Sequence, residues 1–81
     1  MTDAELKRLV LDALAGVAPE LDEASLAPDK SFRDQLDIDS MDLLNFVISL
    51  HKHFGVEIPE RDYPKLTTLT DAVAYLAAAA A

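Results

Sequence analysis

Cysteine is absent from the chain, so neither a disulfide framework nor a cysteine zinc site holds it together, and no side chain supplies a thiol. Basic residues are few: 7 Lys and Arg stand against 15 Asp and Glu, for a formal net charge of −8. That balance repels phosphate backbones and excludes nucleic-acid binding, while favouring fast encounter with proteins that carry basic patches. No apolar run approaches membrane-spanning length, and Met1 to Arg8 lacks a basic segment followed by an apolar stretch. A cytoplasmic protein without membrane insertion is therefore expected. The 81 residues leave room for one core, which predicts a single domain over residues 1–81 that acts from its surface rather than from a deep cleft.

What is present is helical patterning. Leu6, Leu9, Val10, Ala13, Leu14 and Val17 follow the spacing of one apolar face, with Glu5, Lys7, Arg8 and Asp12 on the wet side. Thr2 and Glu5 have the form of a capping box, and Gly16 suits the end of this first helix. From Ala18 to Asp39 the periodicity disappears. Leu21, Leu26, Phe32, Leu36 and Ile38 recur through the segment as anchors, which predicts an ordered loop packed across the bundle, with a helical turn around Ser31 to Leu36.

Ser40 opens a further helix as its expected N-cap, and Gly55 closes it after His51, Lys52 and His53, which suit the negative end of the helix dipole. Leu43, Phe46, Val47, Leu50 and Phe54 form one apolar stripe, and Met41, Leu44 and Ile48 a second that is free to face a partner. Glu60 to Tyr63 reads as a short helical turn stopped by Pro64. Thr68 with Asp71 caps a last helix whose face is Leu69, Ala72, Val73 and Leu76 and which runs into the alanine tail, Ala77 to Ala81. The expected architecture is all-α, with three main helices plus one short one and a long ordered loop between the first two.

Chemistry concentrates at Asp37-Ile38-Asp39-Ser40-Met41-Asp42. A serine at the mouth of a helix has an accessible hydroxyl, although a plain N-cap is the simpler reading of those residues alone. Ser40 is not a catalytic nucleophile: it lacks the glycines of a nucleophile elbow, and His51 stands eleven residues along the same helix, or roughly 16 Å away. Asp37, Asp39 and Asp42 do not form a calcium loop, because Asp42 stands where glycine is needed and Ile48 where the bidentate glutamate is needed. No metal is expected. The acids form a solvated rim or a docking surface, and they oppose a free phosphate at the helix mouth while leaving a covalently attached one unhindered.

Along nearly its whole length the chain resembles the acyl carrier protein family. The similarity lies in the first helix and long loop, Asp39-Ser40-Met41-Asp42, Phe54-Gly55-Val56-Glu57-Ile58-Pro59 and Leu66-Thr67-Thr68-Leu69. The resemblance implies a four-helix bundle and no enzymatic activity of its own. It also implies that Ser40, between Asp39 and Met41, receives 4′-phosphopantetheine from coenzyme A, whose thiol carries acyl groups as thioesters. Phe46, Leu50, Ile58, Leu66 and Leu69 would contact the acyl chain. Met41, Leu44 and Ile48 would give partners apolar contact, with Asp34, Asp39, Asp42, Glu57 and Glu60 meeting Lys or Arg.

The implied partners are a phosphopantetheinyl transferase and acyl ligases, acyltransferases or synthases with basic docking patches, served by a monomer in fatty-acid, polyketide or a related acyl pathway. Asn45, His51 and Lys52 stand where carriers of fatty-acid synthesis usually keep acids, which implies a specialised member. A peptidyl or aminoacyl carrier with the same serine chemistry, and an unmodified acidic adaptor, are the alternative readings.

Overall fold

The computed structural model describes residues 1–80, in four α-helices: α1 (Asp3–Val17), α2 (Phe32–Gln35), α3 (Ser40–Phe54) and α4 (Leu69–Ala80). Two 3₁₀ segments, Glu23–Ser25 and Glu60–Leu66, lie in the connections. The three long helices form the bundle, α1 packing against both α3 and α4. Ala81 of the expected alanine tail lies outside the described residues.

α1 starts as its sequence predicts. Thr2 Oγ1 accepts from the Glu5 amide at 3.2 Å and Glu5 Oε1 accepts from the Thr2 amide at 2.9 Å, so two otherwise unpaired donors of the first turn are satisfied. Its end differs from the expectation. The helix runs through Gly16 to Val17, and the Ala18 amide donates to the Leu14 carbonyl at 2.9 Å. Ala18, which follows the last helical residue, is buried in the core. Leu11, outside the face read from the periodicity, is also buried, because α1 has neighbours on two sides and buries a wider arc than one contact would.

The core joins Leu6, Val10 and Leu14 of α1 to Phe46, Val47 and Leu50 of α3 and to Ala72 and Leu76 of α4. Phe32 enters from the long connection, fully buried, and meets Phe46 edge-on with ring centroids 5.5 Å apart and planes at 78°. Ile38 is buried as well, and Leu21, Leu26 and Leu36 are partly buried against the same core, so the segment from Ala18 to Asp39 is ordered as its spaced apolar residues predicted.

Hydrogen bonds complete the anchoring of this segment. Gln35 Nε2 donates to the carbonyls of Ala27 (2.8 Å) and Lys30 (2.9 Å), while its Oε1 accepts from the Ala27 amide at 2.6 Å. The Phe32 amide donates to the Thr67 carbonyl at 2.8 Å and the Thr70 amide to the Pro28 carbonyl at 3.0 Å, tying the segment to the start of α4. Arg8 of α1 pairs with Glu23 and with Asp12, at an exposed position where such contacts add little to stability.

The second connection also differs from the expectation. The short helix does not stop at Tyr63: the 3₁₀ segment continues through Pro64 to Leu66. Proline's fixed φ suits a 3₁₀ turn, and Leu66, fully buried, holds the far end in the core. Tyr75 of α4 donates to Asp62 Oδ2 at 2.7 Å, pinning the segment to the last helix, and Lys65, within the same segment, lies 3.2 Å from Asp62 Oδ1. The α4 cap expected from Thr68 is present, with its hydroxyl accepting from the Asp71 amide at 3.0 Å.

Two outcomes follow. Gln35→Ala removes three hydrogen bonds to the Ala27 and Lys30 backbone, at part-buried and exposed positions, and should cost about 1–2 kcal/mol in denaturant unfolding, with the m-value unchanged. The Tyr75 hydrogen bond, aided by Lys65, holds the Asp62 carboxyl below its ordinary range. A depressed carboxylate contributes stability above its unfolded pKa and loses it as pH falls through the folded one. Tyr75→Phe should therefore lower Tm more at neutral pH than below the carboxylate range, where the two melting curves converge.

Candidate functional site

The mouth of α3 is built by an aspartate. Asp39 Oδ1 accepts from the Asp42 amide at 2.9 Å, and Asp42 Oδ2 accepts from the Asp39 amide at 3.2 Å, a reciprocal capping box. Asp39, not Ser40, is the N-cap, which corrects the sequence expectation. A carboxylate accepts these bonds as well as a hydroxyl does, and its charge is also favoured at the positive end of the helix dipole. Ser40 becomes the first helical residue, exposed, with its hydroxyl not used to cap the helix.

The approach to Ser40 is held from below. Leu36 donates through its amide to the Phe32 carbonyl at 2.8 Å, and the Ile38 amide donates to the Leu36 carbonyl at 2.9 Å. With Phe32 and Ile38 both in the core, the chain reaches Ser40 from two buried anchors, while Asp37 and Asp39 between and beyond them stay exposed. The result is a serine hydroxyl on a rigid rim rather than in a pocket. Its nearest chain neighbours offer acceptors and negative charge, and neither His51 nor His53 serves it. The His51 Nδ1–H donates to the Val56 carbonyl at 2.8 Å, closing the end of α3, and the His53 Nδ1–H donates to the Ser49 carbonyl at 2.9 Å.

The residues expected to meet partners lie at the surface. Met41 is 63% exposed and Ile48 40%, the largest exposed apolar side chains after Met1, and Leu44 is half-buried beside them. Asp34, Asp39, Glu57 and Glu60 are exposed, and Asp42 is partly covered. Gly55, with φ of 77°, takes the left-handed turn that ends α3 and redirects the chain toward Glu57.

The residues expected to contact an acyl chain divide into two groups. Phe46, Leu50, Leu66 and Leu69 are buried core residues already packed against one another's neighbours. Ile58 is partly open: with Val47, Ile48, His51, Glu57 and Tyr63 it lines a cleft of about 180 Å³ between α3 and the second 3₁₀ segment, while Leu69, though nearly buried, lines the edge of a separate groove. That cleft was not legible in the sequence, since His51, Glu57 and Tyr63 come together only through the turn at Gly55. A roomier open groove of about 620 Å³ lies between α1 and α4 and takes no lining residue from α3.

The site fits a covalently attached phosphodiester. An exposed primary hydroxyl stands at a helix N-terminus, where the dipole favours a phosphate, and no side chain encloses what the phosphate would bear. When bound, 4′-phosphopantetheine supplies the thiol that the cysteine-free chain lacks.

Comparisons with known proteins agree with this geometry. The family described as "Phosphopantetheine attachment site" matches residues 8–76. The acyl carrier protein of Renibacterium salmoninarum is 43% identical over 76 residues, which span 86% of this chain and 94% of that one. That of Myxococcus xanthus is 40% identical over 73 residues, 86% of this chain and 92% of the other. The structure of the acyl carrier protein from Enterococcus faecalis superposes with a TM-score of 0.80 at 26% identity, covering 98% of this chain and 99% of that one. A helical bundle with an accessible serine at the mouth of its central helix, matched over most of its length, belongs to the acyl carrier protein family, non-enzymatic carriers of acyl groups on 4′-phosphopantetheine.

Proposed function

We propose that Ser40 is the attachment point of 4′-phosphopantetheine, and that the whole chain is one carrier domain presenting the loaded arm from the mouth of α3. The observation that carries this reading is the division of labour between adjacent residues: Asp39 caps the helix, so the exposed Ser40 hydroxyl is left for modification. The rim anchored by Phe32 and Ile38 keeps the modified position fixed while the arm moves.

The partners are a phosphopantetheinyl transferase and the acyl ligases, acyltransferases or synthases that load and unload the arm, met by a cytoplasmic monomer. Met41, Leu44 and Ile48 supply apolar contact. Asp34, Asp39, Asp42, Glu57 and Glu60 attract basic side chains around the partner's entrance, raising the encounter rate in a salt-dependent way. An acyl chain folding back on the bundle enters at the cleft beside Ile58, and Phe46, Leu50 and Leu66 contact it only if the packed core parts, whereas Leu69 also lines the open groove between α1 and α4. The departures at Asn45, His51 and Lys52 support a specialised acyl pathway over general fatty-acid synthesis.

Incubating the apo-protein with coenzyme A and a broad-specificity phosphopantetheinyl transferase should add one phosphopantetheine, mapped to Ser40 by mass spectrometry. Because Ser40 is not the cap, Ser40→Ala should abolish the mass gain and leave stability within about 0.5 kcal/mol of the parent. Asp39→Ala should instead cost about 0.5–2 kcal/mol in unfolding. Modification of the Ser40→Ala protein, or a mass gain mapped elsewhere, overturns the assignment.

A further inference from the structure

The exposed face of α3 carries one charge that the acidic surface does not explain. At about 100° per residue, Met41, Ile48 and Lys52 fall within roughly 40° of one another around the helix, with Asn45 beside them and Leu44 on the flank. Lys52 therefore stands on the crest of the same ridge as the two exposed apolar residues, about 18 Å along the helix from Ser40. Its neighbours one turn away are Ile48, Ser49, Gly55 and Val56, none of them acidic.

Among the described residues the ion pairs engage Arg8 and Lys65, and Lys52 takes part in none. His51 differs, because it is bonded to Val56 and shares its cleft with Glu57. Lys52 is exposed and unpaired, in line with Met41 and Ile48 and about 120° around the helix from Ser40.

Resting on the reading of Ser40 as the attachment point, we propose that Lys52 is a specificity-determining residue of the docking ridge. It admits partner enzymes whose surface is basic around the entrance for the arm and carries a carboxylate about 18 Å further along, and it disfavours enzymes whose docking surface is basic throughout. The two ends of this face differ in charge: Asp37, Asp39 and Asp42 gather around the serine end, while Lys52 holds the crest at the other, beyond Met41 and Ile48, with Glu57 to one side in the cleft beside His51. An enzyme is a better occupant than a second copy of the chain, since each copy carries a formal net charge of −8 and self-association would double it. A misplaced like charge at an exposed contact mainly weakens encounter, so the discrimination falls on KM rather than on turnover.

The test uses the parent, Lys52→Gln and Lys52→Glu, each converted to the holo form and checked for one phosphopantetheine on Ser40 and for an unchanged melting profile. Failure of that first step overturns the Ser40 reading and the inference with it. The holo-proteins are then compared as substrates of a malonyl-coenzyme A transacylase with a uniformly basic docking surface. Each step from Lys to Gln to Glu should raise kcat/KM about two- to fivefold through KM, with the gain shrinking as salt is added. Equal kcat/KM for all three, or the highest value for the parent, overturns the proposal. A concentration-dependent dimer of the parent in sedimentation, dissolved by Lys52→Glu, also overturns it by assigning the pole to a second copy.

Discussion

Phe32 and Phe46 meet edge-on at the centre of the bundle, and the placement of nearly everything functional depends on that contact. Phe46 belongs to α3, whose position is already set by α1. Phe32 belongs to a connection with no periodic pattern, in which ordering each residue costs about 1–2 kcal/mol of backbone entropy. Burying a phenylalanine completely offsets part of that cost, and Gln35 offsets more by satisfying the backbone of Ala27 and Lys30 from inside the turn. Once Phe32 is fixed, only a few residues remain before Ser40, and Ile38 pins them again. A serine that would otherwise follow a loose linker is delivered to the end of α3 on a short, doubly anchored path.

Adjacent residues then separate structure from chemistry. In many helices a serine beside an aspartate would compete with it for the cap, because both present an oxygen to the same amides. Here the reciprocal bonds between Asp39 and Asp42 occupy that role from both ends. The hydroxyl at Ser40 is left on the rim, next to the positive end of the dipole yet surrounded by carboxylates. That environment repels free anions and tolerates a bonded phosphate. A carrier needs this separation, since the same side chain cannot both hold the helix end and leave it.

The rest of the surface is organised for encounter rather than enclosure. The core is filled by Leu6, Val10, Leu14, Phe46, Leu50, Leu66 and Leu76, all nearly or fully buried, and the openings that remain are shallow clefts at helix junctions. Apolar side chains that a bundle of this size has no further use for, Met41 and Ile48, are left in solvent along the helix that begins at Ser40. Acids near the serine and around Glu57 and Glu60 frame that helix, and the free Lys52 breaks their uniformity at its far end. Selectivity among partners is thereby placed on one helix face.

Much of this was legible in the residues. The apolar spacing of α1, α3 and α4, the caps at Thr2 and Thr68, the turn at Gly55 and the surplus apolar stripe at Met41, Leu44 and Ile48 follow from local periodicity and from backbone preferences that need no partner. So does the identity of Ser40 as the accessible hydroxyl, since it stands where a helix must begin. Which of Asp39 and Ser40 caps α3 was a contest between two good caps, decided within one turn by the reciprocal bonds with Asp42. Other features depended on residues distant in the chain. The continuation of the 3₁₀ segment through Pro64 goes with the anchoring of Leu66 and the bond from Tyr75. The cleft beside Ile58 exists because one left-handed glycine folds Glu57 back along His51. Sequence by itself determined the helices, the caps at Thr2 and Thr68 and the exposed serine, because these are read from neighbours within a turn or two; tertiary structure alone decided the reach of the 3₁₀ segment and the cleft, because those depend on which distant side chains fill the space around them.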